Sequence, residues 1–172
     1  MMTPGLSHES FIKLIDSHKG IIVKIAATYC RGTMERDDLI QEIVYTLWKN
    51  KDKFKAEFKF STWMYKVALN VAISFYRISK KQKYIEATEV LPELVSADCP
   101  ETNITEENYK LLQNQISTFN ELDRALIVLY FEEKSYKEIA EIMGITETNV
   151  ATKISRIKSK IKQQLQHLKN VH

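Results

Sequence analysis

Glycine and proline are scarce, four and three residues among 172. So few breakers leave little room for the turn-rich connections of a sheet protein. With Leu, Ile, Lys, Glu and Ala recurring at helical period, they point to an all-α fold. The two cysteines, Cys30 and Cys99, stand far apart without ligand spacing, and His8, His18, His167 and His172 fall near the ends. This pattern argues against a disulfide scaffold or a zinc module and for two free, reduced thiols. No apolar run approaches the roughly 20 residues a bilayer span needs, and the opening M-M-T-P-G-L-S-H-E-S lacks a leader layout. The chain is therefore expected in the cytoplasm, without membrane insertion. HExxH, a glycine-rich phosphate loop and a compact carboxylate constellation are all missing, which argues against an enzyme and leaves no cofactor or metal to expect.

What the sequence does have is charge, and its placement matters more than the net +3. Residues 1–83 hold 15 Lys and Arg against 8 Asp and Glu, residues 84–108 hold 7 acids and no cation, and residues 109–172 hold 10 cations against 7 acids. The acidic stretch contains two prolines and breaks the helical period. Two small helical domains, 1–83 and 108–172, joined by a flexible acidic linker over 84–107, follow from this.

In the first domain Ser7 is a candidate cap for a helix carrying Phe11, Leu14, Ile15, Ile22, Ile25 and Ala26. Past Gly32 and Thr33, a second helix sets Leu39, Ile40, Ile43, Val44, Leu47 and Trp48 on one stripe and shows Asp38, Gln41, Glu42 and Tyr45 on the other face. Ser61 is the expected cap of a third helix burying Trp63, Met64, Val67, Ala68, Val71 and Phe75. Lys66, Asn70, Ser74 or Arg77, and Lys80 or Lys81 recur along its exposed side, a basic track able to follow a phosphate backbone. Between the second and third helices, K49-N-K-D-K-F-K-A-E-F-K59 interleaves lysines, among them Lys53 and Lys55, with Phe54 and Phe58. Such a loop suits a single nucleic-acid strand, because charge holds the backbone while a ring or pocket accepts an unstacked base. Phe58, with Phe60 and Trp63, is the better candidate for anchoring the loop to the core.

In the second domain Asn120 is expected to cap a helix bearing Leu122, Leu126, Leu129 and Tyr130. Ser135 and Glu138 have the spacing of a capping box, Gly144 can supply a left-handed stop, and Thr146 can cap a longer helix with Val150, Ile154, Ile157, Ile161 and Leu165 on its apolar line. A short helix, a tight turn and a longer helix describe a helix-turn-helix. Thr148, Asn149, Thr152 and Lys153 stand near the start of the second helix, followed by Arg156, where such side chains reach base edges and phosphates. An αα-hairpin with a solvated lysine face has the same spacing.

D38-L-I-Q-E-I-V-Y-T-L-W48, F60-S-T-W-M-Y-K-V-A-L-N-V-A-I-S-F-Y-R77 and S135-Y-K-E-I-A-E-I-M-G-I-T-E-T-N-V150 resemble, in order and spacing, the two conserved parts of bacterial sigma factors. With no large domain between them, the chain is similar to the extracytoplasmic-function (ECF) subfamily. The resemblance implies that the first domain binds core RNA polymerase, with Asp38, Gln41, Glu42 and Tyr45 on the largest-subunit clamp helices, and melts the minus-10 element. It implies minus-10 contacts at Lys53, Phe54, Lys55, Lys66, Asn70, Ser74, Arg77, Lys80 and Lys81. Minus-35 reading falls to Thr148, Asn149, Thr152, Lys153 and Arg156. The implied partners are core RNA polymerase, including its beta flap, and promoter DNA, with room for an anti-sigma factor. Rival readings are a dimeric helix-turn-helix regulator acting without polymerase and a helical adaptor. The sequence departs from the family at Ser74, where an acid is common, and at T148-N-V-A-T-K153, where a Gly-Thr-Val-Lys-Ser-Arg run is common.

Overall fold

Ser7 opens the first helix as expected: its side chain accepts the backbone N–H of Ser10, and α1 runs His8–Ser17. The computed structural model describes residues 7–55, 57–89 and 104–169, so Cys99 and most of the acidic linker lie outside the described residues. Every regular element among these residues is a helix. The first apolar pattern, read as one helix, is two. Ser17 Oγ donates to Leu14 O and His18 Nδ1 lies 2.9 Å from the same carbonyl, closing α1 before α2 begins at Lys19–Tyr29. Helix α3, Thr33–Lys49, starts after Gly32 as the sequence suggests and buries Leu39, Ile43 and Leu47. A single 3-10 turn at Lys51–Lys53 leads into the lysine-rich loop.

Helix α4 spans Phe60–Glu89, so it starts one residue before Ser61, the expected cap, and continues into the stretch read as linker. The second domain is built from α5 (Ile104–Ser117), α6 (Glu121–Phe131), α7 (Tyr136–Met143) and α8 (Glu147–Lys169). Asn120 caps α6 by accepting the backbone N–H of Asp123 at 2.8 Å. The short α7 is held at both ends. Ser135 and Glu138 form the reciprocal capping box, and Gly144 closes the helix at φ 68°, ψ 34°. That conformation costs glycine nothing but strains residues with a Cβ. The backbone N–H of Asn149 then donates to Thr146 Oγ1, starting α8.

Replacing Ser135 with Ala should cost about 1 kcal/mol of stability, read from urea unfolding, because it strands the Glu138 N–H. The backbone N–H and hydroxyl of Ser135 also hold the Glu138 carboxyl below its ordinary value of 4.5. A carboxylate lowered on folding stabilises above its unfolded pKa, so this contribution is complete above about pH 4.5 and fades as pH falls through the lowered value.

Phe11 anchors the first core, its ring edge-on to Trp48, Phe60 and Trp63 at centroid distances of 6.1, 5.8 and 6.1 Å. Ile22, Ile25, Leu39, Ile43, Leu47 and Met64 close around it. In the second domain Leu126, Leu129, Ile139, Val150, Ile154 and Ile157 form the centre, while Leu122 and Leu165, expected inward, are 43% and 42% exposed. The two cores are continuous. Helix α6 buries six consecutive residues, Arg124, Ala125, Leu126, Ile127, Val128 and Leu129, which one-sided packing cannot do. It is covered on one side by α8 and on the other by α2 and α4. The same contact explains why α4 buries Tyr65, Leu69, Ala72 and Ile73, whereas of its expected stripe Met64 and Ala68 are buried and Trp63, Val67, Val71 and Phe75 only partly so.

Candidate nucleic-acid interface

Asp38, Gln41, Glu42 and Tyr45 all lie exposed on one face of α3. Among the described residues neither Asp38 nor Glu42 has an ion-pair partner, and Lys49 Nζ sits 5.9 Å from the Tyr45 ring centre. Buried Leu39 and Ile43 fix the rotation of α3, so its carboxylates must point outward. Across from them α4 presents Asn70 and Ser74, and together the two helices bound a shallow groove of about 730 Å³ floored by Val71, Phe75 and Ile78. Ile78 was not singled out from the sequence, yet it is 68% exposed at this groove, an apolar residue on a stripe otherwise polar.

Lys66, Asn70, Ser74, Arg77 and Lys81 all stand exposed on α4, and their spacing of three and four residues sets them on one stripe. Lys80 flanks it. Arg77 is not free, since its Nε donates to Glu121 Oε1 of the second domain at 2.8 Å.

In the loop, the ring that packs on the core is Phe54 and not Phe58, the anchor expected from the sequence. Phe54 is half-buried, its ring 5.3 Å from Phe60 and 5.5 Å from Trp63, whereas Phe58 is 52% exposed. The 3-10 turn causes this by carrying Phe54 back onto the α4 start. Lys53 and Lys55 remain exposed on either side of Phe54. Phe54→Ala should therefore lower stability by about 3 kcal/mol, measured by chemical denaturation, while Phe58→Ala leaves the fold unchanged within about 0.5 kcal/mol.

On α8, Thr148, Asn149, Thr152 and Arg156 are exposed and Lys153 is partly covered, on the side opposite buried Val150, Ile154 and Ile157. Thr152 Oγ1 donates to Thr148 O at 3.0 Å, so its hydroxyl proton is committed to the helix itself. Lys158 lies over the Tyr130 ring at 4.3 Å and Lys160 over Phe119 at 4.5 Å. That leaves Thr148, Asn149 and Arg156 as outward groups on the first three turns of this helix.

The model for Sigma-70 region 2 matches residues 14–82, and the model for Sigma-70 region 4 matches residues 109–161. Over 170 residues the chain is 31% identical to the ECF RNA polymerase sigma factor SigW of Bacillus subtilis, covering 93% of this chain and 91% of that one. It belongs to the ECF sigma factor family. RNA polymerase sigma factor SigZ of the same organism is 29% identical over 76% of this chain and 72% of its own length.

In structure, the chain is similar to CnrH in complex with the cytosolic domain of CnrY, at TM-score 0.70 and 16% identity, covering 94% and 91% of the two chains. The sigma factor RpoE of Bartonella quintana, in complex with the anti-sigma factor NepR, gives TM-score 0.69 at 17% identity over 92% and 98%. These likenesses show a shared two-domain helical fold. As an ECF sigma factor, the protein binds core RNA polymerase and directs it to promoter DNA. The α3–α4 groove lies within the region 2 match, and α7 with α8 as far as Ile161 lies within the region 4 match. No helix of the sigma factor is long and apolar enough to cross a membrane among the described residues, and no cluster of metal-ligating side chains occurs among them.

Proposed function

We propose that each face of this sigma factor has one task in initiation. The exposed carboxylates of α3, Asp38 and Glu42, with Gln41 and Tyr45, dock on the clamp helices of the largest polymerase subunit. The α4 stripe, with Asn70 reading a base and Lys66, Arg77, Lys80 and Lys81 holding phosphates, engages the minus-10 element. Phe58 and the loop lysines Lys53 and Lys55 trap an unpaired base, and Asn149 and Arg156 of α8 read the minus-35 element.

The observation that supports this reading is the shared groove: Asp38, Gln41, Glu42 and Tyr45 of α3 line it on one side, and Asn70 and Ser74 of α4 on the other. Melting at the −10 element is thereby coupled to attachment of the enzyme. A second groove of about 460 Å³ between α6 and α8, floored by Leu126, Ile154, Ile157 and Ile161 and edged by Lys158 and Lys162, suits the beta flap. An anti-sigma factor, the class of partner that RpoE has in its complex with NepR, would block initiation here by covering these faces. The sigma factor works in the cytoplasm, by binding and strand separation rather than by bond chemistry.

Run-off transcription with purified core polymerase and a promoter library tests this. Specific initiation that depends on the added chain is expected; transcripts identical with and without it would overturn the reading.

A further inference from the structure

Where α2 and α4 of the first domain meet α5 and α6 of the second, the seam is not filled. It leaves a cavity of about 540 Å³, within the range of volumes that take small organic ligands. Leu112 and Ile116 of α5, with Ile127 and Val128 of α6, give it an apolar wall.

The charges around this cavity do not cancel. Five cations line it, Lys24, Arg31, Lys80, Lys83 and Arg124, against two acids, Glu35 and Glu132. Both acids are already taken, Glu132 by Lys24 at 2.6 Å and Glu35 by Lys83 at 2.7 Å. Glu121, close enough to Lys80 to feel its charge, is bonded to Arg77. Arg31, Lys80 and Arg124 therefore have no ion-pair partner among the described residues.

Two of these cations converge on one serine. Arg124 is the one charged side chain buried among the described residues. Its Nε donates to the Phe119 carbonyl at 2.9 Å, and its Nη2 donates to the Ser117 carbonyl at 2.7 Å and reaches the Tyr76 hydroxyl at 3.2 Å. Nη1 makes no hydrogen bond among the described residues, although Arg124 lines the cavity. From the other side, Arg31 Nη2 donates to the Ser117 hydroxyl. A buried guanidinium with a spare donor, beside a second cation and no acid, is unfavourable until an anion joins it. The Tyr76 ring, 4.5 Å from the Arg124 guanidinium, offsets only part of that cost.

We infer that this cavity binds a small amphiphilic carboxylate of the fatty-acid kind, its head held by Arg31 and Arg124 beside Ser117 and its chain laid along the apolar wall of α5 and α6. A planar carboxylate matches the guanidinium fork, and the adjoining apolar surface has room for a chain that a simple inorganic anion would leave uncovered. The walls come from four helices, so the occupant ties them together and raises the temperature at which the chain unfolds. None of this rests on the polymerase and promoter contacts proposed above.

The test titrates dodecanoate into the full chain carrying isotope-labelled isoleucine methyl groups. The Ile116 signal, from the cavity, should shift to saturation with a Kd of about 0.1 mM or tighter, while that of Ile161, in the α6–α8 groove, should stay in place. Dodecanol, the same chain without the charge, should bind about tenfold more weakly. With dodecanoate at about ten times its Kd, the unfolding midpoint should rise by about 3 °C.

Arg31→Glu, at an exposed position, should weaken dodecanoate about tenfold and leave dodecanol within about twofold, a split that a general loss of packing would not produce. Ala27→Trp, which places an indole in the cavity from α2, should remove binding of both. An unshifted Ile116 signal, equal affinity for dodecanoate and dodecanol, or undiminished binding of dodecanoate to Arg31→Glu would each overturn the site. Shifts of the same size at Ile161 would mean adsorption to apolar surface in general, and would overturn it too. Every arm is read without polymerase or promoter, so failure here is distinct from failure of the sigma reading.

Discussion

Replacing Asp38 and Glu42 together with Lys abolishes co-elution of the chain with core RNA polymerase while leaving its thermal unfolding within about 2 °C of the parent. The expected loss is large because two carboxylates become two cations on the same surface, so attraction turns into like-charge repulsion at the docking face. Stability is spared for a reason visible in the fold. Both side chains are exposed, neither is ion-paired among the described residues, and the helix is held by Leu39, Ile43 and Leu47 on its opposite side. Size-exclusion chromatography with purified core enzyme measures the effect. Undiminished co-elution of the double variant would remove α3 from the polymerase contact.

Asn70→Ala gives the second large effect, at a later step. Its amide stands on the α4 stripe between Lys66 and Ser74 and borders the groove shared with α3. A base contact of this type is worth about 1–3 kcal/mol, which corresponds to a loss of about 5- to 150-fold in open-complex formation. Permanganate reactivity of unpaired thymines in the minus-10 element reads that loss directly, and co-elution with core polymerase should stay as in the parent. Equal thymine reactivity in parent and variant would move base reading elsewhere on the stripe. Arg77→Ala is a less clean probe, because Arg77 also bonds Glu121 and its removal alters the closed seam as well as a phosphate contact.

Much of the helix-turn-helix was legible because its signals are local. A capping box needs only two residues three apart, a left-handed stop needs one glycine, and Ser135, Glu138 and Gly144 do in the structure what their spacing implies. The exposed arc of α8 followed from the buried line of Val150, Ile154 and Ile157 on its other side. The loop was read less well. Phe54 and Phe58 are chemically identical and four residues apart, so composition cannot say which ring returns to the core; a 3-10 turn between Asn50 and Phe54 decides it. The break at His18 was missed for a related reason. Apolar spacing runs through Ile15 and Ile22 without a proline, and the interruption comes from polar side chains competing for the Leu14 carbonyl.

By itself the sequence determined the helical class, the two domains, the caps, and which faces of α3, α4 and α8 carry charge or amide groups toward solvent. These depend on the period of a helix and on interactions within a turn or two, and a linear pattern contains both. Only the tertiary structure decided what the two domains do to each other. The six consecutive buried residues of α6, the burial of Tyr65, Leu69 and Ile73 on α4, and the capture of Arg77 by Glu121 all depend on surfaces distant in the chain. No periodicity records such a meeting, because a residue's neighbour across a seam leaves no trace in its own helical register.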